Sequence, residues 1–166
     1  MINVNFLMAA LAALIPLLTG FVWYNPKVMG NAWMKETGLT PEDGKNVNMA
    51  KVFGLTYVFS FMMALLLHTI TIHQFGVQSA LLAPDLGKEG TELHTYFADF
   101  MNRYGHNYRT FKHGALHGAI LALFIIMPVV GINALFEQKR FKYIWIHTGY
   151  WLLTLALMGG VICQWA

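Results

Sequence analysis

Seven histidines carry most of the reactive potential of this chain, and their spacing is informative. His113 and His117 lie four residues apart in Lys112-His113-Gly114-Ala115-Leu116-His117-Gly118. On a helix that spacing stacks two side chains on one face, about 40° apart at about 100° per residue. Upstream, Tyr57, Ser60, Ala64, His68 and Thr71 follow steps of three and four, a polar stripe on another helical segment. If the two segments run antiparallel, His68 near the end of one and His113 and His117 near the start of the other reach a common level, where His73 can join them. Neutral imidazoles gathered in this way can bind a transition metal or haem, or pass protons from ring to ring. The pattern falls short of a metal motif, because no Glu sits between the pair as in zinc-protease helices and no second chelating pair follows. Histidines in a helical bundle also serve as hydrogen-bonding glue or reach headgroups and water. A structural or interfacial role therefore leads, with a polar cavity and a metal or haem site as alternatives; the candidate metal ligands are His68, His113 and His117.

A second polar group comprises Asn133 and Glu137 on one side of a tight turn and His147, Tyr150 and Trp151 on the other. Asn133 and Glu137 share a helix face, and the short turn from Gln138 to Lys142 makes an antiparallel hairpin, so contact across it is expected. Such a group is either a Glu/His gate for protons or cations or a hydrogen-bonded clasp with Glu137 exposed beside Lys139 and Arg140. The one cysteine, Cys163, can form neither an internal disulfide nor a multi-thiolate metal site.

The elements that must position these residues are apolar. Four runs, 5–24, 52–72, 114–136 and 143–165, contain no Asp, Glu, Lys or Arg. About 20 apolar residues at about 1.5 Å each cross a hydrocarbon core of roughly 30 Å. With 57% hydrophobic and 11% charged residues, the chain has too little charge to cover a water-soluble surface. The predicted fold is all-α, a single four-helix transmembrane domain over residues 1–166. The net charge of +3 includes no dense basic run, so nucleic acid is not an expected partner; the lipid bilayer is. The first run follows an uncharged Met1-Ile2-Asn3-Val4-Asn5 and ends in Phe21-Val22-Trp23-Tyr24, features of a retained helix with an interfacial aromatic end. Seven basic residues (Lys27, Lys35, Lys45, Lys51, Lys139, Arg140 and Lys142) fall on one side, against Lys88, Arg103, Arg109 and Lys112 on the other. The positive-inside rule then places both termini and the 73–112 segment outside.

The connections have character of their own. The half-apolar stretch after Pro26, ending near Gly38, reads as an interfacial helix, and Thr40-Pro41-Glu42-Asp43 reads as the start of helix two or of a lead-in to it. In the insert 76–112, Leu93, Tyr96, Phe97, Phe100, Met101 and Tyr104 recur at helical spacing before Gly105, which predicts an amphipathic helix capping the bundle or lying on the bilayer. Pro16 and Pro128 are expected to kink their helices. Gly114 and Gly118, Ala9 and Ala13, and Gly159 and Gly160 offer close-approach surfaces for the bundle or for a second copy in a homo-oligomer.

Gly20-Phe21-Val22-Trp23-Tyr24-Asn25-Pro26-Lys27-Val28-Met29-Gly30-Asn31-Ala32-Trp33-Met34, followed by Gly38-Leu39-Thr40-Pro41-Glu42-Asp43, resembles the bacterial membrane-protein family catalogued as domain of unknown function 1761. Asn133-Ala134-Leu135-Phe136-Glu137 and Gly149-Tyr150-Trp151-Leu152 extend the likeness over nearly the whole chain. The resemblance implies a small four-helix protein of a bacterial inner membrane and brings no activity, substrate or catalytic residue; the insert is longer than the family pattern. The leading expectation is a structural or regulatory membrane protein with no cofactor and no catalytic role. The alternatives are a small-solute, proton or cation transporter and a histidine-based metal- or haem-binding protein. A transporter needs a polar path through the midplane, and only the helix-two stripe crosses it.

Overall fold

The computed structural model describes residues 1–166 and is helical throughout, without strands. The helices in chain order are α1 (Phe6–Trp23), α2 (Asn31–Thr37), α3 (Met49–Thr71), α4 (Gln74–Ala80), α5 (Glu92–Tyr104), α6 (Phe111–Phe136) and α7 (Phe141–Trp165). Of these, α1, α3, α6 and α7 are long and apolar enough to cross a bilayer. The protein is a four-span membrane protein with short connecting helices. Two spans start one turn before their apolar runs because their caps lie there: Asn48 Oδ1 accepts from Lys51 N (3.0 Å) and Thr110 Oγ1 from His113 N (3.3 Å). The charged first turn that hydropathy excludes is helical all the same.

Helix α7 is the axis of the bundle, packing against α1, α3 and α6 and burying the largest share of its length. Its contact with α6 is a glycine seam. A Cβ on Gly114 would overlap the carbonyl oxygen of Gly159, and one on Gly118 would overlap that of Leu155. Two backbones can approach so closely only where side chains are absent, which is how helices associate when lipid removes the hydrophobic drive. Against α1, Thr154 Oγ1 meets Thr19 Oγ1 at 2.7 Å and the Tyr150 hydroxyl donates to Pro16 O at 2.8 Å. The polar stripe of α3 faces inward: Ser60, Ala64, His68 and Thr71 are all buried. Phe21, Phe59, Phe124 and Phe136 are exposed, the reverse of a water-soluble surface and the arrangement a lipid solvent favours.

Both expected proline distortions occur. α1 breaks between Ala12 and Ile15, just before Pro16, and α6 contains a π-helical turn at Ala122–Ile126, just before Pro128. A proline has no N–H for the carbonyl one turn back, and a local change of hydrogen-bond register relieves the clash. The interfacial stretch after Pro26 is a π turn leading into α2, closed by Gly38 at φ +79°. The segment after Thr40 is a lead-in of successive tight turns, Asp43 N to Thr40 O and Lys45 N to Glu42 O, and α3 begins later at Met49. Thr40 does not cap a helix with its hydroxyl; that hydroxyl and the Thr40 amide both donate to Asp43 Oδ2.

The insert forms a cap over the end of the bundle where α3 finishes and α6 begins. Within it, α5 runs from its Thr91 cap to Gly105 and buries Phe97. Gln74 Nε2 donates to Tyr104 O (2.9 Å) and Asn107 O (3.0 Å), tying α4 to the end of α5. Gln78 bonds both backbone groups of Ile2, and Arg109 donates to Cys163 O (2.8 Å) and to Ala166 O.

Candidate metal centre

Three histidines converge at the neck of the insert. At the end of α3, Ile72 is extended (φ −106°, ψ 93°) and almost fully buried, and His73 follows it as the residue before α4. Across from it, the i, i+4 pair His113 and His117 occupies the first turns of α6. Ligand nitrogens of His73, His113 and His117 all lie within 4.8 Å of one another. His73 Nε2 and His113 Nε2 are 2.8 Å apart, and the His117 ring centroid is 4.6 Å from that of His113 and 4.9 Å from that of His73. His73 is exposed and the other two are half-buried.

The glycine seam sets the rotation of this pair. Gly114 and Gly118 face α7, and each histidine precedes its glycine by one residue, about 100° round the helix. Fixing the glycines on α7 therefore fixes the imidazoles beside the neck. Tyr108 closes one side, its ring centroid 5.2 Å from that of His113 and 6.3 Å from that of His73. Its φ of +61° is a left-handed conformation unusual for a bulky residue. The carbonyl of Tyr108 accepts from Thr110 N (2.9 Å) and lies 3.3 Å from Cys163 Sγ, contacts that hold the strained turn against α7. A groove of about 370 Å³ lies beside the trio, with His73, Gln74, Phe100, Tyr104 and Tyr108 in its walls.

A tetrahedral ion with bonds of about 2.0–2.1 Å to nitrogen needs nitrogens about 3.3 Å apart. The His73–His113 pair is closer than that and is a hydrogen bond, one ring donating its Nε2 proton to the other. To bind an ion, the pair would open by about half an ångström and the donating ring would move its proton to Nδ1, the tautomer that leaves Nε2 free. The same 2.8 Å separation leaves no room for a macrocycle between the two rings, which argues for a bare ion over haem.

His68 does not join this group. It is fully buried on the inward stripe, and its Nδ1–H donates to Ala64 O at 2.8 Å. The inner polar group also divides. His147 Nδ1 meets the Tyr24 hydroxyl at 3.1 Å and its ring centroid lies 4.3 Å from that of Tyr143 at a tilt of 57°, while Tyr150 bonds Pro16. Asn133 and Glu137 are exposed and their side chains make no hydrogen bond to His147 or Tyr150. The face of α6 is the reason: Asn133 and Glu137 point outward while Ala134 beside them is buried, and the helix then closes with Gln138 at φ +56° and Lys139 N bonding Ala134 O (2.8 Å). Spacing pointed to neither Tyr24 nor Tyr108, because each acts from just beyond a helix end.

A family model described as Protein of unknown function (DUF1761) matches residues 7–163. No curated protein and no solved structure matches the chain.

Proposed function

Since the chain belongs to the DUF1761 family, whose description assigns no activity, we propose from the side-chain geometry that it is a membrane protein that binds a first-row transition-metal ion through His73, His113 and His117. The observation that carries this is the gathering of three imidazole ligands within 4.8 Å of one another from segments 40 residues apart. Imidazole nitrogen suits zinc, copper, nickel and iron, and three histidines leave a further coordination position for water or another ligand. Cys163 adds no thiolate, being buried against the carbonyls of Thr71 and Tyr108. A channel or transporter reading has less support, since donors of the α3 stripe are held by backbone carbonyls: Tyr57 donates to Ala10 O of α1, His68 Nδ1 to Ala64 O and Thr71 to Leu67 O, leaving His68 Nε2 buried without a partner. Following the basic residues, the trio faces outward in a bacterial inner membrane.

A second reading, favoured by the 2.8 Å His73–His113 hydrogen bond, is a metal-free clasp in a purely structural protein. Metal content of the detergent-purified protein after zinc loading and removal of excess separates the two. The metal reading expects about one zinc per chain, lost in His113→Gln/His117→Gln and retained in His68→Leu. Zinc at background level in the parent, with the fold intact by circular dichroism, leaves the clasp.

A further inference from the structure

The trio stands where the insert leaves the bundle and where it returns. His73 lies between the end of α3 and the start of α4, and His113 lies in the first turn of α6, so the segment between them is the whole cap. Next to His73, Gln74 is 4% exposed and its amide holds the carbonyls of Tyr104 and Asn107, at the end of α5. On the returning side, Tyr108 packs its ring on His73 and His113 while its carbonyl lies against Cys163 of α7. Resting on the metal reading above, we propose that the bound ion is a clasp across this neck, so that metal occupancy controls the order of the cap formed by α4 and α5.

The chemistry is that of a removable cross-link. His113 and His117 belong to one helix and on their own would hold an ion without consequence for the insert. His73 belongs to the other side of the neck, and its coordination joins the two. Lifting the cap by separating His73 from α6 then requires the ion to give up a ligand first. A ligand that binds the closed form with Kd and the open form, on His113 and His117 alone, with a weaker Kd′ shifts such an opening equilibrium by the factor (1 + [L]/Kd)/(1 + [L]/Kd′). Without metal, the neck keeps the His73–His113 hydrogen bond and the Gln74 contacts, a tie that the ion replaces with a stronger one. The groove beside the trio is walled by His73, Phe100 and Tyr108, residues on both sides of the same neck.

The test is amide hydrogen exchange of the full chain in detergent or nanodiscs, with zinc alone as the probe and a chelator as its reversal. With free zinc near 100 times the parent's Kd, amides of α4 and α5 whose exchange needs the neck to open are expected to slow by up to roughly 100-fold, the full factor applying where the Kd′ of the remaining pair, read from His73→Gln, lies well above the zinc concentration, while α3 amides stay unchanged. His73→Gln, at an exposed position, is expected to keep zinc on the remaining pair at reduced affinity and to lose the protection. Equal slowing in His73→Gln overturns the clasp, because another tie then does the work. Zinc bound to the parent with no change in the cap overturns the clasp and spares the metal site. No zinc bound at all overturns the site, and the clasp with it.

Discussion

A single imidazole changes meaning with its position relative to a helix end. His68 and His73 are five residues apart, yet one is enclosed by the bundle and bonded to its own helix, while the other stands beyond that helix and faces α6. The enclosed imidazole commits its Nδ1 proton to its own helix and leaves Nε2 without a partner, apart from the trio; the exposed one beside two others is a ligand candidate. Short polar contacts also settle the loop on the opposite side. The Thr40 hydroxyl and then its amide, both 2.7 Å from Asp43 Oδ2, hold the Asp43 carboxyl below the usual carboxylate range. For a carboxyl whose folded value is depressed, the contribution to stability is complete above the unfolded value of about 3.9 and is lost as the pH falls through the lower folded value. The Thr40–Asp43 turn is therefore expected to be closed at neutral pH and to open only in acid. A carboxyl-carbon NMR titration checks this: Asp43 should titrate below an ordinary aspartate, and Thr40→Val should move its midpoint up. A parent midpoint at or above the ordinary value contradicts the assignment.

At the scale of elements, the α6–α7 seam decides where the histidines stand. Gly118→Ala puts a methyl group against the backbone of Leu155, which no rotamer can relieve. Overpacking of this kind costs about 1–3 kcal/mol, and the shift in α6 should also weaken metal binding at the adjacent His117. Gly76 in α4 makes the contrast, since nothing lies within 4 Å of a Cβ there, and Gly76→Ala should gain about 0.5–1 kcal/mol. Unfolding of both variants in mixed micelles checks the pair; a tolerated Gly118→Ala would mean the helices are not in backbone contact. The spans, the kinks before Pro16 and Pro128, the amphipathic α5 and the small residues of this seam were legible in the sequence, because each rests on periodicity or on one residue's backbone chemistry. Placement of the site was legible only in part. Periodicity puts His68 on a stripe with Ser60, Ala64 and Thr71 but cannot say that the stripe faces α7, and it ends at Ile72, so it has no hold on His73. Likewise, no pattern announces that Asn133 and Glu137 face outward while His147 meets Tyr24.

For the whole molecule, the remaining question is which compartment the trio faces. The cap, the end of α3 and the start of α6 share one end, as the Ile2–Gln78 and Arg109–Cys163 bonds require; Trp23 Nε1 bonding Ile146 O joins the opposite ends of α1 and α7. That opposite end carries Lys27, Lys35, Lys45, Lys51, Lys139, Arg140 and Lys142, against Lys88, Arg103, Arg109 and Lys112 at the capped end. Positive residues in short loops stay cytoplasmic, so the capped end is expected to lie outside. With Cys163 replaced by Ser, a cysteine at position 88 should react with a membrane-impermeant maleimide in intact cells, while one at position 139 should react only after permeabilisation. The reverse pattern would invert the protein. It would also alter the metal argument, because the trio would then draw on the cytosolic metal pool and compete with its thiols. In the expected orientation the three imidazoles meet metal ions outside that thiol-buffered pool, where a nitrogen site can respond to their concentration.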